Sequence, residues 1–374
     1  MHNDVKRWWF AIVVVLATGC VPIFAPERGL EHCAAPDAPT VFADPTLEAV
    51  VRADLALAEG RPVTCRALVR LRRLNAHDSG IRSFVGLEEA VNLNRVDARG
   101  NEIEHLGPLS GLPRLARVYL SDNAVRNLSR LSDVPALTVL ELRRNGIDDL
   151  TGIGGLSGLR ELDLRDNQVT DLAPLADLTE LRTLQLQNNG VQRVANMRGL
   201  MRLEVVRLDG NALVDGSGLA TLHEVRTLTL RNNLLDDVTF LFPLAKLETL
   251  DLRGNAVRDV SALLGLDRLE TLDLSRNQVE DVTSLGSLTA LRSLNLQRNA
   301  VVTITPLADL SGLETLDLSR NRIDDIAPLV ALSTLQTLDI SRNCLTLDAD
   351  DLRMLEHLSV QGAELAVEPQ ASCP

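Results

Sequence analysis

The stretch LETLDLSRN at residues 269–277 recurs letter for letter at 313–321, and the near-copy LETLDLRGN lies at 247–255. Each copy ends on an asparagine, and this asparagine recurs every 22 residues through most of the chain. The series consists of Asn101, Asn123, Asn145, Asn167, Asn189, Asn211, Asn233, Asn255, Asn277, Asn299, Asn321 and Asn343. A fixed period of this length predicts a protein built from stacked structural repeats.

The apolar residues keep the same period around each asparagine. Around Asn167 they are Leu159, Leu162, Leu164, Val169, Leu172, Leu175 and Leu178, which gives LxxLxLxxNxVxxLxxLxxL. A less regular unit precedes the series, with Ser79 in the asparagine position. In the LxL segment the leucines alternate with other residues, as in a strand with one buried face. Residues 71–346 therefore hold about thirteen units whose strands share one sheet.

This pattern resembles the leucine-rich repeat family, specifically its 22-residue internalin-like class, over about three-quarters of the chain. The resemblance implies an α/β fold: a right-handed solenoid, or horseshoe, with a parallel β-sheet on its concave face. The segment between asparagine and the next strand is too short for a long helix. Proline also stands seven residues after the asparagine at Pro108, Pro174, Pro306 and Pro328. We therefore predict short 3-10 or turn segments on the convex face.

Two polar columns of the repeat have a structural and a functional interpretation. The asparagines could line a ligand track, but their position at the bend favours a ladder of amides that hydrogen-bond from coil to coil. Four residues after the asparagine come Asp149, Asp171, Asp215, Asp237, Asp259, Asp281 and Asp325. Calcium would need about six to eight oxygen ligands, and one carboxylate per coil supplies too few. We expect these aspartates to cap the turn that follows.

Both ends of the repeat array need a cover, because terminal units would otherwise expose leucines. FADPTLEAVVRADLAL at 42–57 predicts an amphipathic helix that begins near Asp44 and Pro45, within an N-terminal cap at 42–70. This segment resembles the N-terminal cap of internalin-like proteins. DADDLRMLEHLSV predicts a closing helix with Leu352, Leu355 and Leu358 on one stripe, within a C-terminal cap at 347–374.

Four cysteines lie at the two ends of the array, namely Cys33, Cys65, Cys344 and Cys373. Stacking about thirteen coils at ~4.8 Å separates the ends by far more than the ~7 Å that a disulfide spans between Cα atoms. Only the pairs Cys33–Cys65 and Cys344–Cys373 are then compatible. Zinc is the alternative, but paired Cys-x-x-Cys spacing is absent. We predict two disulfides and no metal.

The first residues carry a targeting signal. Lys6 and Arg7 precede the apolar run WWFAIVVVLAT, which is too short to span a bilayer and is typical of a signal peptide. LATGC, which ends at Cys20, resembles the lipobox of bacterial lipoproteins, although Ala17 stands where that family prefers leucine. The resemblance implies a signal peptide at 1–19 and lipidation of Cys20, and Val21 implies sorting to the outer membrane. An ordinary secretory signal is the alternative.

Residues 20–41 contain Pro22, Pro26, Pro36 and Pro39 and predict a semi-stiff tether. The mature chain is therefore expected to be exported to the cell envelope, with a membrane contact through its lipid anchor. A net charge of −13 argues against a nucleic-acid partner. The histidines are scattered, and the chain lacks a nucleophile motif and a Gly-rich phosphate loop, so we expect neither catalytic residues nor a cofactor.

The outward strand positions differ between the two halves. The C-terminal half repeats Thr or Ser, then Asp, then Arg. We expect that an acidic column beside a basic one partly relieves the repulsion between like charges within each column. A solvated, charge-balanced surface is one interpretation of this pattern. The N-terminal half offers a candidate binding surface formed by Arg95, Arg117, Tyr119, Arg143, Arg165, Gln187 and Arg207.

Arginine and aromatic residues are frequent binding anchors, which favours the N-terminal half as the place for a partner. The sequence thus predicts a monomeric, non-enzymatic module, tethered to the envelope, that recognises a protein or peptide through its concave face. The alternative is a structural envelope spacer without a specific ligand.

Overall fold

The computed structural model describes residues 30–368 and residue 370. The predicted signal peptide, Cys20, the first part of the tether and Cys373 lie outside these residues. The described chain begins with a short 3-10 helix at Leu30–His32 and continues into one solenoid.

All strands belong to one fourteen-stranded parallel sheet in which the strands follow chain order. They are β1 (Arg73–Asn75), β2 (Arg95–Asp97), β3 (Arg117–Tyr119), β4 (Val139–Glu141), β5 (Glu161–Asp163), β6 (Thr183–Gln185), β7 (Val205–Arg207), β8 (Thr227–Thr229), β9 (Thr249–Asp251), β10 (Thr271–Asp273), β11 (Ser293–Asn295), β12 (Thr315–Asp317), β13 (Thr337–Asp339) and β14 (Glu364–Ala366). Equivalent residues pair across neighbouring strands, as Leu250 does with Leu272 and Leu272 with Leu294. The predicted solenoid with a single parallel sheet is confirmed.

Each strand is three residues long, and in β1 to β13 the central side chain is buried while the flanking ones face outward. Leu250, Leu294 and Leu316 have no exposed surface, for example. The leucines and valines of every coil contact those of the next, so one continuous apolar core follows the whole array. We call the outward side of this sheet, including the residues up to each repeat asparagine, the sheet face.

The outer side of each coil is a short 3-10 turn, as predicted. These helices are Gly107–Leu109, Ser129–Asp133, Ile153–Gly155, Ala173–Leu175, Ala195–Gly199, Ser217–Leu219, Thr239–Leu241, Ser261–Leu263, Thr283–Ser287, Thr305–Asp309 and Ala327–Ala331. Each aspartate of the column listed above accepts the backbone N–H two residues later, as Asp215 Oδ1 does from Ser217 at 2.7 Å. These carboxylates therefore cap the turn that follows them.

The repeat asparagines form the amide ladder. Asn233 Nδ2 donates to the carbonyl of Leu208 in the preceding coil at 2.9 Å and to that of Leu230 in its own coil at 3.0 Å. Its Oδ1 accepts the Leu213 N–H at 3.0 Å. One side chain thus satisfies backbone groups of two successive coils, at the bend where the sheet ladder ends.

The residue directly before each repeat asparagine has a left-handed backbone. This position is held by Gly100, Asp122, Arg144, Asp166, Asn188, Gly210, Asn232, Gly254, Arg276, Arg298, Arg320 and Arg342, with φ between 50° and 71°. Glycine, asparagine and aspartate tolerate this conformation, whereas an arginine has no such preference. The last four coils all place an arginine there.

At the N-terminal end, helix α1 spans Pro45–Asp54 and buries Leu47 and Val51 against the first coil. Asp44 caps it, and the second carboxylate oxygen of Asp44 accepts the Arg82 N–H at 2.7 Å, which joins the helix to the repeats. Helix α2 spans Cys65–Leu68. Cys65 forms a disulfide with Cys33, with their Cα atoms 5.9 Å apart, so this predicted pair is confirmed.

At the C-terminal end, helix α3 spans Ala349–Val360 and starts with a capping box between Asp348 and Asp351. Leu355 and Leu358 are buried, but Leu352 is 55% exposed. The predicted three-leucine stripe was wrong for Leu352, because Met354 takes the place beside Leu355 on the buried side. Strand β14 then follows the helix and pairs with β13, an extension of the sheet that the repeat pattern did not predict.

Cys344 also forms a disulfide, and its partner lies outside the described residues. The pairing of Cys344 with Cys373 stays a prediction, as do the exact limits of the two caps. None of the helices in the described part of the chain has the length and apolar character that crossing a membrane requires.

Candidate functional site

Tyr119 lies at the centre of a cluster of charged residues on the sheet face. The guanidinium carbon of Arg95 lies 4.4 Å from the centre of the Tyr119 ring, and that of Arg99 lies 5.5 Å from it. Both distances fall within the range of cation–π contacts. Asp97 and Glu141 complete the group, which we call the Tyr119 cluster. Strands β2, β3 and β4 place its members in adjacent coils.

Asp97 holds the two arginines in place. Its carboxylate accepts Arg95 Nη2 at 3.1 Å, Arg99 Nε at 2.9 Å and Arg99 Nη2 at 2.7 Å, and Asp97 is only 5% exposed. Burial alone would raise the pKa of Asp97, but the hydrogen bonds from Arg99 and Arg95 outweigh burial and lower it. The guanidinium groups are therefore fixed over the tyrosine ring before any partner arrives.

Glu141 is the carboxylate of the cluster that lacks such a partner. Burial raises its pKa, Arg99 opposes the rise, and the charges of Asp163 and Asp97 add to it. Arg165 in turn binds the buried Asp163, with Nε 2.9 Å from Oδ1. The Tyr119 cluster thus continues along the sheet as a series of carboxylates and guanidinium groups.

The other predicted site residues lie in the neighbouring coils. Arg143 Nε donates to Asp166 Oδ2 at 2.7 Å, and Arg207 Nη1 donates to Gln185 Oε1 at 3.3 Å. Gln187 keeps a buried side-chain oxygen without a hydrogen-bond partner among the described residues. A buried acceptor without a donor is costly, so this oxygen lowers stability locally.

On the N-terminal side of Tyr119, three arginines stand in register on successive strands: Arg73, Arg95 and Arg117. They line a shallow depression together with Asn75 and Asn94. Arg73 and Arg117 are exposed, and among the described residues neither forms an ion pair. The predicted site therefore has a basic edge beside its aromatic centre.

Sequence reasoning found Arg95, Arg117 and Tyr119 but missed Arg99, Asp97 and Glu141. Arg99 stands two residues before its asparagine, the same position as the predicted Arg143 and Arg165, so the signal was present in the repeat. The role of Asp97 depends on side-chain contacts within its own coil, and that of Glu141 depends on charges in other coils. The alignment of repeats shows neither.

The C-terminal part of the sheet face is arranged differently. Burial raises the pKa of Asp317, hydrogen bonds from Ser319 oppose the rise, and the charges of Asp339 and Asp273 add to it. Burial likewise raises the pKa of Asp251, and the ion pair with Arg231 opposes the rise. Like charges are thus stacked in this acidic column, and at Asp251 an arginine partly offsets them.

Next to the acidic column, the four arginines before the last repeat asparagines are exposed. We call them the arginine ladder; they are Arg276, Arg298, Arg320 and Arg342. Among the described residues none of them forms an ion pair, but the charge of Asp339 opposes the lowering of the Arg320 pKa by the neighbouring arginines. The acidic column therefore relieves the repulsion within the basic one only in part.

A metal centre has one candidate within the described residues. Ligand atoms of Cys33, Cys65 and Glu89 lie within 4.8 Å of one another. Because the two sulfur atoms are joined in the disulfide, they are not the thiolates that bind metal ions. This group is therefore structural.

Comparisons with known proteins agree with the repeat pattern. A model of paired leucine-rich repeats matches residues 157–200, 245–287 and 289–331, and a single-repeat model matches residues 331–348. With its parallel sheet and 3-10 turns, the chain has the architecture of a leucine-rich-repeat solenoid, and the matched segments are leucine-rich repeats. No curated protein sequence matches the chain.

Solved structures with this architecture include two bacterial proteins. The internalin inlF from Listeria monocytogenes is 29% identical, with a TM-score of 0.84, over 89% of this chain and 98% of that one. A leucine-rich-repeat protein of Leptospira interrogans is 21% identical, with a TM-score of 0.67, over 82% and 93% of the two chains. The second likeness shows the fold alone.

Proposed function

We propose that this protein is a non-enzymatic binding module that recognises a protein partner through the N-terminal half of the sheet face. Leucine-rich-repeat solenoids present extended concave surfaces for binding, and protein partners are typical of this class. The observation that carries the proposal is the Tyr119 cluster, in which one aromatic ring and two guanidinium groups are held rigidly on an accessible surface.

The chemistry of this surface fits a protein partner. Tyrosine and arginine contribute strongly to binding energy when they are fixed in place before association. Arg73 and Arg117 add exposed cations at the edge. A partner that offers carboxylates to the edge and an apolar group to Tyr119 would match both.

We further propose that the module is exported and tethered to the cell envelope. The Cys33–Cys65 disulfide supports a location outside the reducing cytoplasm. Lipidation at Cys20 and placement at the outer membrane rest on the sequence alone. Globomycin-sensitive processing and incorporation of radiolabelled palmitate test the anchor, and a Cys20→Ser variant that still incorporates palmitate would contradict it.

Site-specific photocrosslinking tests the binding surface. A photoreactive phenylalanine analogue at Tyr119 is expected to capture one defined partner in the producing cells, whereas the same analogue at Thr271 captures none. Arg143→Ala is expected to reduce capture at Tyr119 because it removes a cation that borders the surface. Thr249→Ala serves as the control, since it changes the other half of the sheet face.

Thermal unfolding of each variant shows whether the fold is intact. Equal capture at both positions would contradict a specific site in the N-terminal half. Failure to capture any partner at either position would favour a spacer in the envelope without a specific ligand.

A further inference from the structure

The arginine ladder differs from the same column in the earlier coils. The same position in earlier coils holds Asp122, Arg144 and Asp166, and Arg144 pairs with both aspartates, at 3.4 Å and 3.5 Å. Another column, seven residues before the asparagine, joins Arg182 to Glu204 across neighbouring coils. Neighbouring coils thus usually place opposite charges next to each other. The ladder instead places four like charges in succession.

The ladder combines two features that lower local stability, a strained backbone and repulsion between like charges. All four arginines have a left-handed backbone, with φ between 56° and 61°, although glycine or asparagine fills this position in other coils. The charge of Arg342 lowers the pKa of Arg320, and Arg298 and Arg276 contribute in the same direction. Strained backbone and unpaired charge that persist together are characteristic of functional positions.

We propose that the arginine ladder is a docking track for an extended acidic segment of a partner protein. The ladder lies in the C-terminal coils, apart from the Tyr119 cluster, so this surface is additional to the one proposed above. Guanidinium groups bind carboxylates through paired, charge-assisted hydrogen bonds, and exposed arginines without partners are free to do so.

The dimensions of the ladder fit such a segment. Four arginines on successive coils extend over about 14 Å at the ~4.8 Å spacing of neighbouring strands. In an extended peptide, alternate side chains point to the same side at intervals of about 6.7 Å. Three alternating carboxylates therefore cover the same length, within reach of long arginine side chains.

The surroundings of the ladder favour a narrow ligand over a flat anionic surface. The strand carboxylates Asp273, Asp317 and Asp339 lie on one side, and the turn carboxylates Asp281 and Asp325 follow on the other. An anionic membrane that contacted the ladder would also be repelled by these carboxylates and by the net charge of −13. A single extended segment meets the arginines first.

Fluorescence polarisation with a labelled peptide of alternating Glu and Thr tests the track on the full chain. Binding is expected to weaken as salt screens the charges, and the matching Gln–Thr peptide is expected not to bind. The double variant Arg298→Asn with Arg320→Asn is expected to lower the affinity about tenfold. Its Tm is expected to equal or exceed that of the parent, because asparagine tolerates the left-handed backbone.

The control removes two exposed arginines from the outer side, Arg114→Gln with Arg130→Gln, and is expected to bind like the parent. An equal loss in this control would show a general effect of net charge and overturn the proposal. Full affinity in the ladder variant would overturn it as well. So would binding to phosphatidylglycerol vesicles without binding to the peptide, because the ladder would then recognise a lipid surface.

Discussion

The two halves of the sheet face are built on the same strands but handle charge in opposite ways. In the N-terminal half, the buried Asp97 binds Arg95 and Arg99, and Asp163 binds Arg165. In the C-terminal half the units are near-copies, so identical charges come to lie next to each other. There burial raises the pKa of Asp317 and the charges of Asp339 and Asp273 add to the rise, while the charge of Arg342 lowers the pKa of Arg320.

The difference shows what repetition costs in a solenoid. Copying a unit preserves the core, because leucine packs well on leucine, but it stacks each outward charge on itself. Divergence between units is what allows neighbouring coils to pair opposite charges. The irregular half can therefore fix its side chains internally, while the regular half leaves its arginines available.

The amide ladder runs through both halves, and we expect its loss to have the largest effect on the free energy of unfolding. Asn145→Ala removes donations to the Leu120 and Leu142 carbonyls. We expect Asn145→Ala and Asn321→Ala each to lower the free energy of unfolding by about 2–3 kcal/mol, measured by urea denaturation. The exposed Gln168→Ala is the control. A large effect in one half only would mean that the ladder itself differs between them.

The second-largest effect is expected from Asp97, the buried carboxylate of the Tyr119 cluster. Asp97→Asn is expected to cost about 1–2 kcal/mol at neutral pH, because the two guanidinium groups lose a charged acceptor but stay partly solvated. The pKa of Asp97 is lowered in the folded state, so its stabilisation is present above the ordinary carboxyl pKa of 3.8 and lost as the pH falls through the lowered value. Tm measured across this range should show the variant and parent converging in acid. A difference in Tm that stays constant across this pH range would contradict this prediction.

The left-handed position allows a direct test of paired against unpaired arginine. Arg320→Asn is expected to raise the free energy of unfolding by about 0.5–1 kcal/mol, because it relieves backbone strain and repulsion together. Arg144→Asn relieves the same strain but removes the ion pairs with Asp122 and Asp166, so we expect a change near zero. Equal stabilisation by both variants would show that pairing contributes nothing.

The smallest expected effect is in the acidic column of the regular half. Asp317→Asn is expected to raise stability by about 0.5 kcal/mol at neutral pH, because the chain already uses Asn295 at the equivalent position of the preceding coil. The pKa of Asp317 is raised on folding, so its penalty is present above the raised value and disappears as the pH falls below 3.8. Asp177→Asn on the outer turn is the control. A gain in stability that persists below pH 3.8 would show that the charge of Asp317 is not its cause.

Most of the fold could be predicted because each coil contacts only its neighbours. The 22-residue period placed the strands, the 3-10 turns and the asparagines. Strand β14 was missed because it follows helix α3 and does not carry the repeat pattern. Leu352 was misplaced because three leucines at this spacing drift around a helix, and the core takes only Leu355 and Leu358.

The candidate site could be predicted only in part. Tyr119 stood out as an outward aromatic, and the arginines around it followed from the strand positions. That Asp97 fixes Arg95 and Arg99, or that Gln187 keeps an unused oxygen, depends on which side chains reach each other in the folded chain. Arg95 and Arg99 each lie two residues from Asp97 in the same coil, and the geometry of such contacts is set by side-chain conformations rather than by residue type.

The sequence by itself determined the solenoid, because a strict period of leucines and asparagines has only one way to bury its apolar residues and satisfy its bends. The tertiary structure alone decided which charges are paired. Arg144 and Arg320 occupy the same place in their units, but Arg144 pairs with Asp122 and Asp166 of the adjacent coils, whereas Arg320 has Arg298 and Arg342 at these places. The physical reason is that ion pairing depends on distances of a few ångströms between coils, which stacking fixes and residue order does not.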